Sequence, residues 1–123
     1  MKLMTTQVAK WRKVKAPALF VDTSIKTGNA YLAPTWVLLT EYKGGLISPE
    51  EYEERFKNII KMRWNSYSDF RQLVANMASK EETQVLGCYC AAGEFCHRHL
   101  LVEFFQRYCE ARDVPFEYLG ELE

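Results

Sequence analysis

The sequence predicts an α/β fold: a mostly parallel sheet of about four strands with helices on both faces, built from residues 1–123 as one domain. Three observations lead there. Strand-like and helical segments follow in the order strand, strand, three helices, strand, helix, strand, with no internal repeat and no low-complexity linker. Thr83 to Cys90 is apolar with little alternation, the pattern of a strand covered on both faces. With 123 residues, 48% hydrophobic and 14% aromatic, the chain can bury one core without staples.

Lys2 to Val8 is β-compatible and reads as the first strand. The basic stretch Lys10 to Lys15 reads as a solvated turn with Trp11 capping the core, closed by Pro17. Ala18 to Ile25 reads as a buried strand whose carboxyl end turns polar at Asp22 and Thr23, and Lys26 to Asn29 as a turn. Pro34 suits the first turn of a short helix through Trp36, Leu38, Leu39 and Tyr42, stopped by Gly44-Gly45.

Ser48-Pro49-Glu50-Glu51 is a capping box, so a helix starts at Pro49, and Tyr52, Phe56, Ile59 and Ile60 form its buried stripe. Asn65-Ser66 breaks that pattern. A further helix, capped by Ser66 or Ser68, turns Phe70, Leu73, Val74 and Met77 inward, and Ser79 to Glu82 is a charged loop. After the central strand come a turn at Ala91-Ala92-Gly93 and a helix from about Cys96 or His97, whose buried face is Leu100, Leu101, Phe104, Phe105 and Tyr108. Cys109 reads as a small buried hydrophobe and Pro115 to Leu119 as the last strand.

Sixteen basic and sixteen acidic residues cancel, so no global field draws the chain to nucleic acid or to an anionic membrane. Direct nucleic-acid binding therefore ranks low, and any anion site must be local. No apolar run approaches membrane-spanning length and no leader-like segment opens the chain, so a cytoplasmic protein with reduced thiols is expected.

Between Cys88 and His99 lie three of the four cysteines, both histidines and Arg98. Three chemistries fit this cluster. The first is an anion or nucleotide site at the start of the last helix, with Arg98 and His97 as donors and Gly93 allowing close backbone approach. The second is a metal bound by Cys88, Cys90, Cys96 and His97. That C-x-C, C-H spacing is not a usual zinc pattern, and helical neighbours point about 100° apart. The third is a reactive thiol, Cys96 at a helix start beside His97 and Arg98. The phosphatase spacing of cysteine, five residues and arginine is absent, and so is the Walker loop. Each residue also has a plain structural reading: Cys88 and Cys90 as strand core, Cys96 as a packed helix cap, and Arg98 in a surface pair with Glu94 or Glu103.

The run L-G-C-Y-C-A-A-G-E-F-C-H-R-H-L-L, Leu86 to Leu101, resembles the signature of the domain of unknown function family 488, small proteins of prokaryotes and their phages. Thr5 to Lys13, Ala33 to Trp36 and the helix from Glu51 to Phe56 are similar to that family's other blocks. The resemblance implies a small Rossmann-like, three-layer α/β domain with Cys96-His97-Arg98 at the carboxyl edge of its sheet, and it names no reaction. Cys88, Gly93, Cys96, His97 and Arg98 match the family pattern. Cys90 matches it less clearly, which weakens the four-ligand metal reading.

The leading expectation is a protein that binds a small anionic, nucleotide-derived ligand; if phage-encoded, it would sequester a signalling nucleotide in the host cytoplasm. The pocket would use Asp22 toward a ribose hydroxyl or amine, with Thr23 and Lys26 beside it. Gly93, Cys96, His97 and Arg98 would face the phosphate, and Trp36 or Phe95 would stack on a base. The alternatives are an enzyme, with Cys96 as nucleophile or His97 as acid/base on a phosphorylated or glycosidic substrate, and a structural zinc or interaction protein. No cofactor is expected otherwise, and the oligomeric state is open.

Overall fold

The computed structural model describes residues 1–90 and 95–122. Among these, the strands are β1 (Lys2–Gln7), β2 (Leu19–Asp22), β3 (Thr83–Cys88) and β4 (Glu117–Leu122). The helices are α1 (Trp36–Lys43), α2 (Pro49–Ser66), α3 (Ser68–Ala78) and α4 (His97–Ala111), with a 3-10 helix at Val8–Lys13. The four strands form one all-parallel sheet in the order β2-β3-β1-β4. This is the small Rossmann-like arrangement expected.

Register determines the two faces. Val21 pairs with Leu86 and Leu86 with Thr5, and the two-residue period of a strand adds Leu3 and Cys88 to that side. Leu3 and Leu86 join Leu38 of α1, Tyr52, Phe56 and Ile60 of α2, Phe70 and Val74 of α3 and Leu101 and Phe105 of α4 in one buried cluster. All four α-helices therefore pack on this face. The chain crosses from β1 to β2 in the opposite direction to its other two crossovers, so right-handed connections carry the 3-10 helix over the other face. It touches β1 and β3 there and completes the third layer.

Local chemistry explains most boundaries. Ser48 Oγ accepts from the Glu51 amide and Pro49 opens α2, as the capping box predicts. Gly45, at φ 76°, ends the turn after α1. Besides the shorter β2 and β3, four details differ from the sequence reading. Pro34 precedes α1 rather than lying in its first turn, and Thr35 caps the helix, its hydroxyl accepting from the Leu38 amide. Tyr67, in extended backbone and without a side-chain cap, divides α2 from α3 where a serine cap was expected. Trp11 is half exposed under the Arg12 guanidinium rather than covering the core.

The fourth is β4, which ends at Leu122 rather than Leu119. A bulge lies between the Leu3–Tyr118 and Thr5–Glu121 pairs. Gly120, at φ 102°, sits in it as the extra residue, and pairing resumes beyond. The turn expected at Ala91-Ala92-Gly93 lies outside the described residues. No helix among the described residues is long and apolar enough to cross a membrane.

Candidate functional site

All strands end at one edge, and β3 is the strand from which the chain turns into α4. Its neighbour β1 sends the chain to the other face, so the carboxyl edge here is a switch point of the kind that holds ligands in open α/β sheets. β3 stops at Cys88, so Cys90 lies past the strand and does not share a face with Cys88 as expected from an eight-residue strand. Cys88 is buried, while Cys90 is half-buried.

Cys96 is the N-cap of α4, at φ −152° and ψ 149°. It is thus extended rather than helical, and the 100° divergence from His97 assumed for helical neighbours does not apply. The Cys96 Sγ lies 3.5 Å from His97 Nδ1. It also comes within bonding reach of the Cys88 Sγ, the pairing of a disulfide rather than the separate reduced thiols expected from sequence, with the two Cα atoms 7.9 Å apart. A relaxed disulfide spans roughly 4.4–6.8 Å between Cα atoms, so this pair is wider than a plain crosslink. The donor atoms of Cys88, Cys96 and His97 all lie within 4.8 Å of one another. Cys90 is not among them, which corrects the four-ligand set.

His97 is held from behind. Its Nε2 is 2.8 Å from the Thr23 carbonyl, which can only accept, so Nε2 carries the proton and Nδ1 offers its lone pair toward Cys96. Burial pushes the imidazole down to about 4, against the pull of that carbonyl bond, and the Arg98 charge adds to the lowering. Near neutral pH the ring is uncharged. Thr23 is itself fixed, both its amide and its hydroxyl donating to the Gly87 carbonyl at 2.8 Å.

Arg98, expected from sequence to pair bidentately with phosphate, is fully buried and engaged within the protein. Its Nη1 donates to Cys88 Sγ at 2.8 Å and to the Cys90 carbonyl at 3.0 Å. Nε and Nη2 reach Glu121 Oε1 and Oε2 at 3.2 and 2.6 Å. Of the two surface partners considered from sequence, Glu103 pairs with Lys57 and Arg107, and Glu94 lies outside the described residues. Burial would raise the Glu121 carboxyl, but the bonds from Arg98 and Thr5 and the Arg98 charge hold it below the usual range. His99 is also lowered, by burial first and by Arg98 second.

Asp22 closes its own loop rather than waiting for a ribose. Oδ1 accepts from the Ser24 amide at 2.9 Å and Oδ2 from the Thr27 hydroxyl. A side chain at Gly28 would strike the Asp22 carbonyl oxygen at 2.4 Å, so the turn closes only around glycine. Lys26 is exposed on that loop, and Trp36 is 54% exposed at the start of α1. Gly93 lies outside the described residues.

A cavity of about 270 Å³ opens beside the cluster, lined by Cys88, Cys90, Cys96 and His97 and walled by Tyr42, Tyr52, Tyr89 and Phe95. Ser24 and Lys43 add polar edges. Of the ligand residues expected from sequence, Phe95, Cys96 and His97 line this space. Asp22, Thr23, Lys26, Trp36 and Arg98 do not. Sequence reading missed Tyr42, Lys43, Tyr52, Tyr89 and Glu121. The tyrosines looked like core at helical spacing, which Tyr52 also is, and nothing local marks Glu121 as the partner of Arg98. Burial pushes the Tyr52 phenol up, with Cys90 and Tyr42 adding to it, so its hydroxyl stays protonated.

No curated protein and no solved structure matches the chain. The family model DUF488-N3a, described as the active DUF488-N3 subclade, matches residues 4–109, a span running from within β1 through most of α4 with the whole Cys88 to His99 cluster. On that match the chain belongs to the DUF488-N3a family.

Proposed function

We propose that the protein binds a small, anionic, nucleotide-derived molecule in the cavity at the carboxyl edge of the sheet. The carrying observation is the wall: Tyr42, Tyr52, Tyr89 and Phe95 surround a space of about 270 Å³ with Lys43 at its edge and His97 at its base. Planar heteroaromatic rings stack on such walls, and a single cation orients the anionic end. In this arrangement Phe95 takes the base-stacking role and Lys43 the role first assigned to Arg98. Arg98, Asp22 and Thr23 hold the site in shape from behind.

Turnover is the second reading, and the Cys96–His97 geometry favours it. A thiol 3.5 Å from a neutral imidazole nitrogen, with the imidazole oriented by a third group, is the nucleophile, base and orienter pattern of covalent catalysis. The family description, which calls the subclade active, supports the same reading. A phosphorylated or glycosidic nucleotide derivative is the matching substrate class. Sequestration of such a molecule without turnover would use the same cavity.

Thermal unfolding of the full chain against a panel of nucleotides, cyclic dinucleotides and inorganic phosphate tests the binding claim. A micromolar nucleotide should raise the melting temperature and phosphate alone should not. Absence of a shift with every compound defeats the proposal. A binding nucleotide then goes to product analysis by mass, which separates sequestration from turnover.

A further inference from the structure

The geometry points to a metal site: Cys88, Cys96 and His97 hold one soft divalent cation, zinc by preference, with a fourth coordination position facing the cavity. The three protein ligands stand independently of the nucleotide reading, and a metal on Cys96 Sγ and His97 Nδ1 replaces the thiol–imidazole pair as the reactive group of the site. Only the occupant of the fourth position rests on it.

Four observations carry this. First, the three donor atoms converge within 4.8 Å, and all three residues are buried. Second, the 3.5 Å between Cys96 Sγ and His97 Nδ1 equals the edge of a tetrahedron with Zn–S of about 2.3 Å and Zn–N of about 2.0–2.1 Å, an edge of roughly 3.5 Å. Third, the Cα atoms of Cys88 and Cys96 are 7.9 Å apart, wider than a relaxed disulfide, so the two sulfurs, which stand in contact here, have backbone room to open to the edge of about 3.8 Å between two zinc-bound sulfurs.

Fourth, the outer shell is of the kind metal ligands have. His97 gives its distal N–H to the Thr23 carbonyl, which fixes the tautomer that leaves Nδ1 for the metal. Arg98 donates to Cys88 Sγ at 2.8 Å, a bond that favours the thiolate form.

Charge and protons balance. One divalent cation replaces the two thiol protons of Cys88 and Cys96, which leave to solvent, and the two thiolates neutralise it. His97 enters neutral, and Arg98 is neutralised by Glu121. Two thiolates with one imidazole form a soft donor set that selects zinc over magnesium or calcium. Three protein ligands and an open position are the layout of catalytic rather than structural zinc sites. Cys88, Cys96 and His97 all line the cavity, so water or the ligand's anionic end completes the tetrahedron there.

Cobalt(II) titration of the reduced full chain is the test. Expected are tetrahedral d–d bands and a thiolate-to-cobalt charge-transfer band that saturate at about one ion per chain and are displaced by zinc. Cys90→Ser and Cys109→Ser should keep both features and Cys88→Ser should lose the charge-transfer intensity of one thiolate. The unmodified chain decides the matter even if Cys88→Ser does not fold. A cobalt spectrum without charge transfer overturns the site, as does a metal-free chain in which Cys88 and Cys96 survive mild reductant as a covalent pair by mass.

Adding adenosine monophosphate to the cobalt protein reads the fourth position. A changed d–d envelope places the anion on the metal. An unchanged envelope together with a thermal shift leaves the cavity reading standing and overturns coordination by the anion, which leaves the fourth position to water.

Discussion

The buried Arg98 guanidinium forks onto Glu121, Nε to Oε1 at 3.2 Å and Nη2 to Oε2 at 2.6 Å, and so ties the start of α4 to the end of β4. Its remaining arm reaches Cys88 and the Cys90 carbonyl. One side chain therefore joins three segments around the candidate site.

Removing one partner strands the other charge in the interior. Glu121→Ala should cost about 3–5 kcal/mol in denaturant unfolding, while Arg98→Met with Glu121→Leu should cost clearly less. Equal losses in the single and double variants would show that the pair contributes packing rather than charge compensation.

The same pair makes stability depend on pH. The folded Glu121 carboxyl lies below its unfolded value, so its contribution is complete above the ordinary glutamate range, about 4.3. It is lost as pH falls through the lower folded value. Unfolding free energy followed from pH 7 downward should show an acid slope that is shallower in Glu121→Gln. Identical slopes would remove Glu121 from the acid transition.

Gly28 protects the geometry behind His97. Alanine there would meet the Asp22 carbonyl oxygen at 2.4 Å and the Ser24 amide nitrogen at 2.5 Å, both backbone atoms that cannot step aside. Gly28→Ala should destabilise by about 1–3 kcal/mol and weaken cobalt binding by moving the Thr23 carbonyl. Unchanged stability and metal affinity would mean that the loop relaxes without disturbing Thr23.

Phe95 packs its ring against Tyr42 and Tyr52 at centroid distances of 5.8 and 5.5 Å and is partly exposed to the cavity. Phe95→Ala should weaken a bound nucleotide roughly tenfold or more, the range for loss of one stacking platform, about 1–3 kcal/mol. Lys43→Ala should weaken nucleotides and leave the free nucleobase unaffected. Titration calorimetry separates these, and equal losses for both ligands would deny Lys43 contact with the anion.

Ser48→Ala removes the α2 cap one turn before Tyr52, outside the cavity lining, and should cost about 1 kcal/mol with ligand and metal affinities unchanged. Altered affinity in that variant would couple α2 to the cavity through Tyr52.

Much of this was legible before any coordinates because the signals are local. The Ser48 cap, the Gly44-Gly45 stop and the start of α4 at Cys96-His97 depend on chemistry within four residues, which spacing displays directly. The both-faces burial of β3 showed in its missing alternation. The trimming of β2 at Asp22 did not, because a side chain that closes its own loop looks in sequence like one that waits for a ligand.

By itself, then, the sequence determined the α/β class, the family and the crowding of sulfur, imidazole and guanidinium groups after one strand, since period, caps and motif are short-range properties. Tertiary structure alone decided what those groups do. Parallel register pairs Lys2 with Thr83, and the Gly120 bulge brings Glu121 level with Thr5. Those long-range matches turn Arg98 inward to Glu121 and leave Cys88, Cys96 and His97 facing one point, because strand pairing is settled by burial across the whole sheet rather than by neighbours along the chain.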